Sequence, residues 1–263
     1  MSDNPYRGLP AHHFWRRAVS AVERHQLDPV VAPKFSIAPA DRVATAGSCF
    51  AQHISRRLQA IDFNYYVAED APSLPPAERR RRNYGVFSAR YGNIYTTRQL
   101  LQLFQQAFDG RGSAEVAWRR EDGRWADPFR PNIEPDGFAS VEALMASREV
   151  HLAAVREMFT STDVFVFTLG LTEGWMSKAD GSVFPLAPGV VAGHYSADTH
   201  APINLSVYEV EMDMFDFLAR LRGVNPKVRV LLTVSPVPLI ATHADRHVLS
   251  ATTYSKSVLR VAA

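Results

Sequence analysis

The chain has 263 residues, 46% of them hydrophobic and 21% charged, with a formal net charge of +2. That balance excludes a disordered chain, and the low glycine content excludes a collagen-like one. No uninterrupted apolar run reaches the ~18 residues of a membrane span, so one large α/β domain is expected.

The N-terminus, Met1-Ser-Asp-Asn-Pro-Tyr-Arg-Gly8, lacks the apolar stretch of a secretory signal, which makes a cytoplasmic protein the expectation. Phe14, Ala18 and Val22 recur at helical spacing and predict a helix over 12–27, within a helical extension at about 1–35. Arg42–Ala46 reads as a short apolar strand. Gly47-Ser48 then opens a helix whose inner face is Phe50, Ile54, Leu58 and Ile61, with Ser48 suited to the N-cap. Residues 64–67 suggest the next strand, and the Pro- and Arg-rich segment 69–83 a loop. Within it, Arg79–Arg82, with Arg90 nearby, is either a solvated face or a patch for an anionic substrate or a phosphate. No nucleic-acid-binding motif accompanies it.

A broad apolar face predicts a helix over 97–108. Val116–Trp118 and Gly123–Trp125 flank a turn and suggest a hairpin. A helix over 140–159 precedes Asp163–Leu169, a nearly continuous apolar run typical of a strand buried on both faces. Ser206-x-x-Glu209 is a capping box before Val210, Met214, Phe217 and Leu221, and Gly223 and Pro226 follow as stops. Val228–Val234 is read as another buried strand, ended by Ser235-Pro-Val-Pro238. The chain closes on a helical pattern, 255–263, with no stop signal after it.

Alternating strands and helices favour a mostly parallel sheet covered on both faces. Ligands in such sheets bind beyond the carboxyl ends of the strands. Three predicted strand ends carry suggestive residues: Gly47-Ser48, Gly170-Leu-Thr-Glu173 and Ser235-Pro236. A serine that follows a strand and opens a helix has free amides beside it, which stabilise developing negative charge. Ser48 is therefore either a nucleophile or merely a helix cap. The lone cysteine, Cys49, excludes an intrachain disulfide and a multi-cysteine metal site. It is a second possible nucleophile, although packing behind the serine is the expectation for it.

Thr45-Ala-Gly-Ser-Cys-Phe-Ala51 contains the letters that name the GSCFA family, which this chain resembles. Asn83-Tyr-Gly-Val86, Tyr91-Gly-Asn93, Thr168-Leu-Gly170, Thr233-Val-Ser-Pro-Val237 and Tyr254-Ser-Lys256 extend the resemblance along nearly the whole chain. That family is similar to the SGNH/GDSL hydrolases and the PC-esterases. The resemblance implies a three-layer, flavodoxin-like fold of SGNH type, spanning 1–263 as one domain with the N-terminal extension.

The resemblance also implies roles. Ser48 is the nucleophile. Gly92 or Asn93, with Gly85 as an alternative, joins the Ser48 amide in the oxyanion hole. Thr172 stands where an asparagine is expected, and a hydroxyl can donate one bond there. From the residues themselves, Gly170, Glu173 and Trp175 are candidates to line the pocket, with an ordinary loop as the alternative for Glu173 and Trp175. No Asp-x-x-His motif follows. Asp245-Arg-His247 is the nearest arrangement, with His247 as base and Asp245 as its orienter. His243 is a rival, while His53, His194 and His200 read as ordinary polar residues. SGNH-like proteins carry the base motif after a further strand, so the expectation is a chain shortened at 263.

The implied activity is hydrolysis or transfer of O-acyl groups, on a small-molecule or glycan ester, through an acyl-serine. Nothing in the sequence requires a metal or organic cofactor. The alternative is an SGNH-like module that holds a glycan without turning it over. A nucleotide-binding flavodoxin-like protein is a further alternative, but its Gly-rich fingerprints are missing.

Overall fold

The computed structural model describes residues 4–263, in two compact units, Met1–Ala38 and Pro39–Ala263. Residues 1–3, the start of the expected helical extension, lie outside the described residues. In the first unit the helix expected over 12–27 does not form as one element. Short turns replace it: 3₁₀ at Ala11–His13, π at Arg16–Ser20 and 3₁₀ at Arg24–Gln26. None of them buries a residue, so no covered apolar face stabilises a longer helix.

The second unit runs β1 (Val43–Ala46), α1 (Ala51–Ala60), α2 (Pro76–Arg81), α3 (Thr97–Phe108), β2 (Trp118–Arg119), β3 (Trp125–Ala126), α4 (Val141–Ser161), β4 (Val164–Leu169), β5 (Glu173–Ser177), β6 (Val183–Phe184), β7 (His200–Asn204), α5 (Val207–Val224), β8 (Arg229–Val234) and α6 (Val248–Ala262). The central sheet is parallel, in the order β1-β4-β8, and helices flank it. Its register aligns Val43 with Val164 and Val164 with Arg229. β4 is buried along its whole length, as its apolar run predicts.

Several expectations change. β8 is half-buried rather than buried, and Leu231 is exposed, because β8 pairs on one side only. The strand expected at 64–67 is reduced to one parallel bridge, Val43 with Tyr65. The loop expected over 69–83 contains α2, opened by Pro76 at its first position. α1 buries Ala51 and Ser55, whereas Phe50, Ile54 and Leu58 are half-buried and Ile61 is exposed. An antiparallel sheet, β6-β5-β7, had no clear sequence signal.

The helices are well capped. Ser206 and Glu209 form the expected capping box of α5, Thr96 and Gln99 form one for α3, and Ser140 caps α4. The core centres on rings contributed by α3, α4, β4 and α5. Phe159 lies 5.6 Å from Phe104 and 5.3 Å from Phe165, and Phe165 lies 5.8 Å from Phe217. This packing holds the carboxyl ends of β1, β4 and β8 side by side.

The basic run is largely neutralised. Arg79 pairs with Asp70, Arg81 with Asp136, and Arg82 with Glu78. Arg90 is buried and pairs with Glu134. No helix among the described residues is long and apolar enough to cross a membrane.

Candidate active site

The turn after β1 is built by close approach. Gly47 has φ of +144°, and a Cβ there would lie 2.9 Å from both the Thr168 side chain and its carbonyl. Only glycine fits such a backbone and such a neighbour. Gly170 plays the matching part at the end of β4, where a Cβ would lie 2.9 Å from the Tyr95 carbonyl. That carbonyl accepts the amides of Gly170 (3.2 Å) and Leu171 (2.8 Å), while the Ile94 amide donates to the Gly47 carbonyl at 2.9 Å. Residues 94–95 thus tie the ends of β1 and β4 together.

Ser48 is not the cap of α1. Phe50 holds the N-cap position, and no side chain caps that helix. Ser48 is 4% exposed, and its hydroxyl makes no hydrogen bond among the described residues. The amides of Ser48, Cys49 and Phe50 donate to no protein group among the described residues either. Ser48 and Cys49 line a cleft of about 230 Å³ with Tyr95, Gly170, Ser235 and Leu239. All three strand ends singled out from the sequence therefore meet at one cavity. The expectation that Cys49 packs behind the serine is corrected: Cys49 is the exposed member of the pair.

The cleft continues into a hollow of about 330 Å³ that shares Leu171, Pro185, Leu186, Leu239 and Ala241 with it. Glu173, Trp175 and His243 line this second part. The Glu173 carboxylate accepts the Thr242 hydroxyl at 2.9 and 3.0 Å, which anchors the loop after β8. Trp175 packs edge-on against His243 at 5.0 Å and Tyr195 at 5.4 Å.

Other expected residues fall elsewhere. Thr172 is fully buried and gives its hydroxyl proton to Asn204 Oδ1 at 2.7 Å. Its amide donates to Ser255 Oγ at 3.0 Å. Both of its donors are used. Gly92 and Asn93 line an adjoining hollow rather than the Ser48 cleft, and Gly85 opens on a different surface. His247 is exposed and caps α6, its Nδ1 accepting the Leu249 amide at 3.2 Å. In that state the neutral ring carries its proton on Nε2 and has no free lone pair. Asp245 is exposed, and no hydrogen bond joins it to His247 among the described residues. His53 and His194 are exposed, and His200 is buried against Glu115 at 2.7 Å.

Lys256 belongs to the Tyr254-Ser-Lys256 motif, to which the sequence assigns no role. Its Nζ donates at 2.6 Å to the carbonyl of Gly170, a residue that lines the cleft. Burial lowers its pKa to about 8, with nearby Cys49 acting in the opposite direction. The signal available in the sequence was the adjacency of Ser255 and Lys256. One helix position pins Thr172 and the next pins Gly170, so α6 seats the β4–β5 turn at two points.

Comparison with known proteins adds the family. No curated protein and no solved structure matches the chain. A family model described as the GSCFA family matches residues 42–263, from the first residue before β1 to the end of α6. That span takes in every strand end that meets at the Ser48 cleft, and the chain belongs to the GSCFA family.

Proposed function

We propose that the protein is a serine ester hydrolase or acyltransferase of SGNH type, acting on O-acyl groups of a hydroxylated substrate such as a glycan. One observation carries this reading. An unbonded Ser48 hydroxyl and the unpaired amides of Ser48 and Cys49 occur together at a cleft beyond the carboxyl ends of a parallel sheet.

In the proposed mechanism Ser48 Oγ attacks the ester carbonyl and passes its proton to Lys256. A neutral amine at Lys256 keeps N–H donors for the Gly170 carbonyl and offers one lone pair. The Ser48 and Cys49 amides receive the oxyanion. The alcohol leaves with the proton from Lys256, and water or a second alcohol takes the acyl group from the serine. His247 is the alternative acceptor, and it requires the Leu249 cap bond to open and a bond to Asp245 to form in its place.

The test is hydrolysis of p-nitrophenyl acetate by wild type and Ser48→Ala, beside labelling by a fluorophosphonate. Loss of turnover in the variant and stoichiometric labelling at Ser48 are expected. Equal rates in both proteins overturn the serine mechanism. The engaged donors of Thr172 favour a second reading, a binding module that holds a glycan without turnover. A folded protein that binds glycan yet stays unlabelled is the outcome for that module.

A further inference from the structure

Apart from the Ser48 cleft, the protein has a smaller chamber of about 30 Å³, lined in part by Tyr91, Asn93, Gln102, Arg130 and His151. A hollow of about 70 Å³ has lining residues in common with both. It shares Asn93 and Arg130 with the chamber, and Tyr95, Pro185 and Leu186 with the cleft. Three buried atoms of the chamber's lining have no hydrogen-bond partner: Asn93 Oδ1, Arg130 Nη2 and His151 Nε2. Arg130 and His151 are 3% and 2% exposed, so bulk water does not serve them. Buried polar atoms without partners are uncommon, and three that line one chamber are explained by a polar occupant.

The chemistry of the three atoms selects that occupant. His151 Nδ1 lies 2.6 Å from a Glu69 carboxylate oxygen, so the ring proton sits on Nδ1 and Nε2 is an acceptor. Burial, then the charge of Arg130, keeps the ring neutral, with a pKa of about 4. Arg130 Nε donates to Asp127 at 3.0 Å, which fixes the guanidinium and leaves Nη2 as a spare donor. The chamber therefore offers two acceptors and one donor. An anion would face two acceptors, and a cation would face Arg130. A neutral group with hydrogens to donate and a lone pair to accept matches all three.

We propose that this chamber and hollow form a binding subsite for a neutral hydroxyl-bearing substrate group, of the kind a sugar presents. One or two hydroxyls enter the chamber, and the ring rests in the hollow beside Tyr95 and Phe129. This inference rests on the reading of the Ser48 cleft as a substrate site. A water molecule has the same hydrogen-bonding chemistry, and the experiment separates the two.

The experiment is titration of the whole protein with methyl α-D-glucopyranoside, followed by saturation-transfer NMR, with sodium acetate as the anionic comparison. Saturable glucoside binding without acetate competition is expected. His151→Asn keeps a donor for Glu69 and removes the Nε2 acceptor. Asn93→Leu removes the other acceptor and leaves the Glu69–His151 bond intact. Each variant, checked for a cooperative melt, is expected to weaken glucoside binding by about tenfold or more. No saturable binding by wild type means that the chamber holds water only, and it overturns the proposal. Undiminished binding by either folded variant, or acetate binding in preference, also overturns it. The readout is binding rather than turnover, so failure of p-nitrophenyl acetate hydrolysis tells separately against the serine mechanism.

Discussion

Lys256 donates to the Gly170 carbonyl across 2.6 Å, which ties an ammonium of depressed pKa to a residue that lines the cavity holding Ser48 and Cys49. The bond joins the last helix to the end of the central strand.

If the neutral amine of Lys256 receives the Ser48 proton, kcat/KM for p-nitrophenyl acetate rises with pH around a midpoint near 8. Lys256→Met is expected to lower the rate by about 10²–10⁴-fold and to remove that limb of the profile. Lys256→Arg stays charged and is expected to be equally slow. His247→Ala leaves the midpoint where it is. A midpoint that instead moves in the His247 variant assigns the proton transfer to the histidine.

Gly47→Ala puts a methyl group 2.9 Å from Thr168 on a backbone of φ +144°. Strain and overpacking together are expected to cost about 2–4 kcal/mol. The measurement is the shift in urea midpoint at constant m-value. A variant as stable as wild type contradicts the close approach of β1 and β4 at that turn.

Cys49 is exposed at the cleft. Iodoacetamide is expected to alkylate it in the native protein, and prior phosphonylation of Ser48 is expected to slow that reaction several-fold. Intact-mass kinetics read both rates. An unchanged rate would mean that the two side chains do not share one cavity.

Acid lability follows from His151. Its folded pKa, about 4, lies below its ordinary value of 6.5, so the unfolded chain binds the extra proton between those values. Stability from this group is complete above pH 6.5 and declines as pH falls toward 4, by up to about 3 kcal/mol. Asp127 extends the loss at lower pH. Burial raises its pKa, but Arg130 and Arg148 outweigh that and hold it at about 2. Stability present above pH 3.8 is therefore lost toward 2. Urea midpoints between pH 4 and 7 are expected to slope in wild type and to flatten in His151→Asn. Parallel slopes in the two proteins would exclude His151 as the source.

Elements whose signals are local were legible in the amino-acid order. The apolar run of β4, the capping box of α5, the paired Trp segments of the hairpin and the Gly47-Ser48 turn depend on neighbours within a few residues. That order also carried the family, through the motif at 47–51. Periodicity did not foresee β6-β5-β7, because its strands are short and pair across irregular connections. How each side chain is used emerges only in the folded chain. Thr172 spends its donors on Asn204 and Ser255, His247 spends its acceptor on the α6 cap, and Lys256 reaches Gly170 across 86 positions of chain. The fold also exposes Cys49 while burying Ser48. A hydrogen bond or a buried surface belongs to a pair of residues, and when the partners lie far apart in the chain, spacing along the sequence carries no record of which of them will meet.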